Sequence, residues 1–121
     1  MAARLAALVD ADPDAERLAP APFATVCFRR RPRRFAGRED DPAVAAHLDE
    51  LNEALMARIN ATGQAFLSHT RLGGRYTIRV AIGNPRTEWR HVEHLWSLVR
   101  TFGAELEGGA PAEGEDRPPE A

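Results

Sequence analysis

Residues 64–82 constrain the fold more than any other stretch, because two segments of strand character flank the pair Gly73-Gly74. In Arg75–Ile82 the side chains alternate. Tyr76, Ile78, Val80 and Ile82 share one face, and Arg75, Thr77, Arg79 and Ala81 share the other. Gln64–His69 reads as a shorter strand. Two adjacent glycines accept positive φ and permit a tight reversal, so the pair reads as an antiparallel hairpin. A lone hairpin is not stable in water, and its apolar face needs cover from the rest of the chain.

That cover is visible on both sides of the hairpin. Asp41 and Pro42 supply an N-cap and a first-turn proline. Behind them Val44, Leu48, Leu51, Leu55 and Ile59 recur at helical spacing, and Asn60–Gly63 ends the helix with Gly63 suited to a left-handed position. After the break at Asn84-Pro85, Thr87 can cap a last helix that runs to about Leu106, with Trp89, Val92, Trp96, Val99 and Phe102 on one side. Residues 1–10 form a short helix through Leu5, Leu8 and Val9, stopped by the acidic run and Pro13. So short a helix is marginal alone and reads as the last turns of something longer.

Between the first two helices lie Ala15–Ala19 and Phe23–Arg30, separated by Pro20 and Pro22. The second is a strand with Ala24, Val26 and Phe28 on one face and Thr25, Cys27 and Arg29 on the other. Residues 31–41 read as a polar loop. The order is therefore helix, strand, strand, long helix, strand, strand, long helix. It describes an α+β domain over residues 1–106, an antiparallel sheet of about four short strands covered on one face by helices. From Glu107 onward Gly, Pro, Ala and acidic residues predict a disordered tail, 107–121.

Composition narrows the chemistry. All 16 basic residues are arginine, so no lysine amine is available for a Schiff base. The single cysteine, Cys27, excludes an internal disulfide and points to a reducing cytoplasm. No apolar run approaches the ~20 residues of a membrane span, and the N-terminus lacks a signal-peptide pattern.

Arg29, Arg30, Arg31, Arg33, Arg34 and Arg38 crowd ten positions. Nucleic-acid binding by counterion release is one reading of them. The net charge of −2 and the acids Glu39, Asp40 and Asp41 favour a solvated loop instead. His91 and His94 stand three apart on a helix, but no third ligand follows them, so these and His47 read as surface histidines and no metal is expected. Cys27 reads as a packed structural thiol, since no histidine base is identifiable. Ser68 and His69 face opposite ways on a strand and make no dyad. Arg79, mid-strand on the non-core face, reads either as an exposed side chain or as one lining a cleft against another domain or subunit, where its guanidinium would hold a carboxylate or anchor a loop.

The segment LNEALMARINATGQAFLSHTRLGGRYTIRVAIGNPRTEWRHVEHLW (51–96) resembles the C-terminal part of the pyridoxal-phosphate-dependent group II amino-acid decarboxylases, the family of aromatic-L-amino-acid decarboxylases. FATVCFR (23–29) resembles the preceding strand of that family. The resemblance implies the small C-terminal domain of a type I fold enzyme, a homodimer whose active sites lie at the subunit interface. It implies pyridoxal 5'-phosphate as the cofactor, held by a lysine in a separate large domain. It also implies that Arg79 matches an arginine supporting the active-site region. On this reading the chain is a fragment that needs the large domain or a companion subunit, carries no catalytic or cofactor-binding residue of its own, and is inactive alone. The alternatives are a stand-alone, non-enzymatic α+β interaction module and, behind it, nucleic-acid binding through residues 29–38.

Overall fold

The computed structural model describes residues 2–19, 25–63, 67–81 and 88–107. In chain order it contains α1 (Ala2–Ala11), β1 (Ala15–Arg17), β2 (Thr25–Arg30), a 3-10 turn (Arg33–Phe35), α2 (Pro42–Ala61), β3 (Ser68–Leu72), β4 (Arg75–Ala81) and α3 (Trp89–Glu107). The four strands form one antiparallel sheet in the order β1-β2-β4-β3. Leu5 and Val9 of α1, Leu55 and Ile59 of α2, and Val92, Trp96 and Val99 of α3 pack with Val26, Phe28, Ile78 and Val80 in one core. All three helices therefore cover the same sheet face, as the alternation in β2 and β4 anticipates. Phe28 meets Trp96 edge to face, with ring centroids 5.3 Å apart.

The hairpin forms with Leu72 opposite Arg75, and Gly73 and Gly74 at φ 59° and 79°. Both values lie in the left-handed region that a two-residue reversal of this kind requires. The turn also corrects the expected strand. β3 (Ser68–Leu72) continues three residues past the expected end at His69, because a two-residue turn forces Leu72 to pair with Arg75 and draws the ladder up to the glycines. Residues 64–66, the start of the expected strand at Phe23 and Ala24, the Thr87 cap and the 108–121 tail lie outside the described residues.

α2 begins as expected, with Asp41 Oδ1 accepting from the Ala43 amide at 3.0 Å and proline in the first turn. Its apolar stripe is buried throughout, but its polar side chains do more than face water. The β2–β4 ladder ends at the pair Phe28–Ile78. Two residues further along the same register would come Arg30 and Tyr76, and there α2 takes the place of the missing partner strand. Asn52, fully buried, accepts from the Arg30 amide at 2.7 Å and donates to the Arg30 carbonyl at 2.9 Å. Asp49, one turn away, accepts from the Tyr76 amide at 3.0 Å. Asn60 repeats the reciprocal arrangement on Leu67, at 2.7 and 3.0 Å, and fixes the approach to β3.

Thr77 corrects a second expectation. It lies on the face assigned to solvent yet is fully buried, with its hydroxyl donating to the Arg75 carbonyl at 2.8 Å. Burial follows from its neighbours on that face, described below.

Replacing Asn52 by Ala leaves a buried amide and a buried carbonyl of Arg30 without partners. Each such group costs about 1–3 kcal/mol. The expected outcome is a loss of roughly 2–4 kcal/mol in urea-unfolding stability, against less than about 0.5 kcal/mol for Glu53→Ala on the exposed side of the same helix.

Candidate functional site

The sheet face turned away from the helices divides into two halves of different character. In one, Arg79 on β4 stands between Cys27 on β2 and Ser68 on β3. Arg79 and Ser68 are exposed and Cys27 is half-buried, with Thr25 and Ala81 paired alongside. Arg79 forms no ion pair with any described residue. Among the described residues Arg79 is thus an exposed guanidinium without an acid partner.

The other half is closed by charge. Arg29 is 1% exposed, and its Nε donates to Glu16 Oε2 at 2.8 Å from the paired position on β1. Arg75 reaches Glu16 at 3.5 Å and Asp40 at 3.3 Å, and Arg31 reaches Glu39 at 3.4 Å. Glu39 and Asp40 belong to the segment leading into α2, so these pairs draw that segment against the Arg29 end of the face. Thr77 is buried in the same region.

The arginine-rich segment is the expected solvated loop only in part, at the exposed Arg33, Arg34 and Arg38. Arg29 and Arg30 lie in β2 and are buried. Arg30 alternates onto the helix side, where its guanidinium pairs with Glu107 at the end of α3. Gly103 makes the room: a Cβ there would collide with the Arg30 Cδ and Nε atoms. Arg33 forks onto Asp14, with Nε at 3.2 Å and Nη2 at 3.0 Å, while its amide donates to the same carboxylate at 2.7 Å. Each buried guanidinium has an acid partner from a distant part of the chain, which is the condition under which such charges are buried at all. Four of the six cations are engaged internally, which weighs against a nucleic-acid surface.

The histidines and the cysteine stay apart. His91 and His94 are exposed on α3, and His91 Nδ1 accepts from the Glu88 amide at 3.0 Å, helping to cap the helix. His69 stacks on Tyr76 with centroids 4.7 Å apart, on the opposite face from Ser68. His47, expected at the surface, is half-buried because Phe35 packs edge-on against its ring at 5.5 Å. Among the described residues no three His, Cys, Asp or Glu side chains gather as metal ligands. No helix among them is long and apolar enough to cross a membrane. A groove of about 740 Å³ runs between the end of α1 and α3, lined in part by Leu8, Trp96, Ser97 and Arg100.

Sequence reasoning singled out Arg79 and Cys27 but missed Glu16, Asn52, Gly103 and Glu107. Asn52 carries a faint signal, since it sits next to Leu51 in the apolar stripe of α2. The two glutamates carry none, because their arginines are 13 and 77 residues away.

No family model matches the chain. Tryptophan decarboxylase 1 of Oryza sativa subsp. japonica is 39% identical over 99 residues, which are 82% of this chain and 18% of that protein. Tyrosine decarboxylase 4 of Petroselinum crispum is 38% identical over 100 residues, 83% of this chain and 19% of its own length. The crystal structure of Oryza sativa TDC with PLP and tryptamine superposes with a TM-score of 0.77 at 37% identity, covering 88% of this chain and 22% of that one. The chain spans about a fifth of the length of the curated relatives it matches.

The acid pairs make stability depend on pH in a defined direction. The Arg33 side-chain hydrogen bond is the chief force holding the Asp14 carboxyl below its ordinary value, against partial desolvation. Glu39 is held low first by its own amide and then by the Gly37 amide and the charges of Arg31 and Arg29. A carboxylate depressed in the folded state stabilises fully above its unfolded value of about 4, and the contribution is lost as pH falls through the folded value. Urea midpoints should therefore drop on acidification below about pH 4. The drop should be shallower in Asp14→Asn, and an equal drop in that variant would remove Asp14 from the account.

Proposed function

We propose that the chain is the C-terminal small domain of a pyridoxal-phosphate-dependent aromatic-L-amino-acid decarboxylase, with the domain expected over residues 1–106 extended by one residue to Glu107, the end of α3 and the partner of Arg30, and the remainder as a tail. The observation that carries this reading is collinear similarity, at 37–39% identity, to tryptophan decarboxylases over more than four-fifths of the chain. The fold agrees in kind: a small α+β unit with a four-stranded antiparallel sheet and three helices on one face. By the same reading the complete enzyme has a type I fold, works as a cytoplasmic homodimer, and removes the α-carboxylate of an aromatic L-amino acid.

The cofactor does not fit this chain alone. Pyridoxal phosphate is held by such enzymes as an imine on a lysine amine, and there it acts as the electron sink for decarboxylation. None of the 121 residues is a lysine. No step of the reaction is therefore assigned to this chain, and the lysine belongs to a large domain outside these residues. The contribution of the small domain is a surface. Its helices occupy one sheet face, Glu39 and Asp40 draw in over part of the other, and no other described residue covers the strip Thr25, Cys27, Arg79, Ser68. In the proposed enzyme this strip faces the large domain, and Arg79 supplies a fixed positive charge for a carboxylate there.

Translation of the DNA upstream of Met1 in all frames tests the reading. A large domain containing a histidine-lysine pair is expected; its absence would favour a stand-alone, non-enzymatic interaction module. The purified chain should leave the spectrum of added pyridoxal phosphate unchanged and turn over no aromatic amino acid. It should also self-associate where the missing large domain would cover it. A monodisperse, cooperatively unfolding monomer would again favour the interaction module.

A further inference from the structure

The segment between β2 and α2 carries two more exposed arginines than its acids can answer. Glu39 turns to Arg31, Asp40 to Arg75, and Asp41 is committed to the Ala43 amide as the N-cap of α2. Asp14 takes Arg33. Arg34 and Arg38 are left exposed without an acid partner among the described residues. Neither is loosely placed. The Arg34 guanidinium carbon sits 4.6 Å from the centroid of the Phe35 ring and that of Arg38 sits 5.9 Å from the same centroid. Phe35 is itself seated against His47.

The backbone builds this arrangement. The 3-10 turn Arg33–Phe35 leads directly into a second turn, in which the Arg38 amide donates to the Phe35 carbonyl at 2.8 Å. Ala36 at φ −59°, ψ 127° and Gly37 at φ 83° are the two central residues of a type II turn, which needs positive φ at its third position. Gly37 is thus the residue that returns Arg38 to the ring already flanked by Arg34. Two like charges are held beside one aromatic ring with no counter-charge among the described residues.

We propose that Arg34 and Arg38 form a binding site for a phosphate monoester dianion, whose oxygens accept from both guanidiniums beside Phe35. Guanidinium is the side chain best matched to tetrahedral oxyanions, since its planar fork donates two parallel hydrogen bonds. A dianion also offers enough acceptors for two arginines at once. The site is independent of the decarboxylase assignment and lies on a turn, away from the open sheet strip.

The test uses the full chain and inorganic phosphate, with arginine Nε–H signals followed by NMR against chloride at equal ionic strength. Saturable shifts are expected at Arg34 and Arg38, with half-saturation in the region of about 1–10 mM for two charge-assisted contacts in water. Arg34→Ala and Arg38→Ala should each weaken binding about fivefold or more, and Arg34→Lys should restore only part of it. Gly37→Ala keeps both arginines but strains the turn, and it should weaken binding while Arg100→Ala does not. Equal, unsaturated shifts at Arg90 and Arg100 would overturn the proposal. So would an unchanged affinity in Gly37→Ala that retains its circular-dichroism spectrum. A single-stranded oligonucleotide that binds through these arginines when phosphate does not would also overturn it, in favour of a nucleic-acid surface.

Discussion

The side-chain amide of Asn52 holds the two layers of this domain in register. At the point where β2 and β4 part, a sheet would ordinarily leave one amide and one carbonyl of Arg30 buried and unpaired. Asn52 presents a donor and an acceptor in the same geometry as a strand backbone and satisfies both. Because Asn52 also donates to the Leu48 carbonyl at 2.8 Å, its orientation is fixed by its own helix. Asp49 and Asn60 extend the same service to Tyr76 and Leu67. α2 is thus more than an apolar lid. Its buried stripe presses on the sheet, and three polar side chains tie three strand ends to fixed points along it.

The position of Arg30 then decides much of the electrostatics. With its backbone held by α2, its side chain crosses to α3, passes the space left by Gly103 and meets Glu107. One residue earlier, Arg29 goes to the opposite face and meets Glu16. Consecutive arginines on one strand therefore anchor opposite sides of the sheet. Replacing either acid would leave a buried guanidinium uncompensated, which costs far more than the loss of a surface pair. Among the described residues the same pairings leave Arg79 on the sheet face, and Arg34 with Arg38 on the turn, without an acid partner.

What the sequence made legible follows from the range of the forces involved. Periodicity is local, so α2, α3, β2 and β4 could be read from the spacing of Leu, Val and Ile, and the hairpin from Gly73-Gly74. The end of β3 could not, because it is set by the turn's pairing geometry rather than by its own residues. Arg29, Arg30 and Thr77 looked solvent-facing because their burial depends on Glu16, Glu39 and Glu107, which no local pattern connects to them. His47 looked exposed because the Phe35 that covers it comes from a turn. The location of Arg79 on an open face was legible, as its strand alternation is regular.

A chimera puts the decarboxylase reading to the test. The matched segment of the Oryza sativa tryptophan decarboxylase would be replaced by residues 2–107 of this chain, and decarboxylation of tryptophan measured together with pyridoxal phosphate content. If the chain is a decarboxylase small domain, the chimera turns over tryptophan, and Arg79→Ala lowers that turnover while leaving the fold intact. A soluble, cofactor-loaded chimera with no turnover would contradict the assignment.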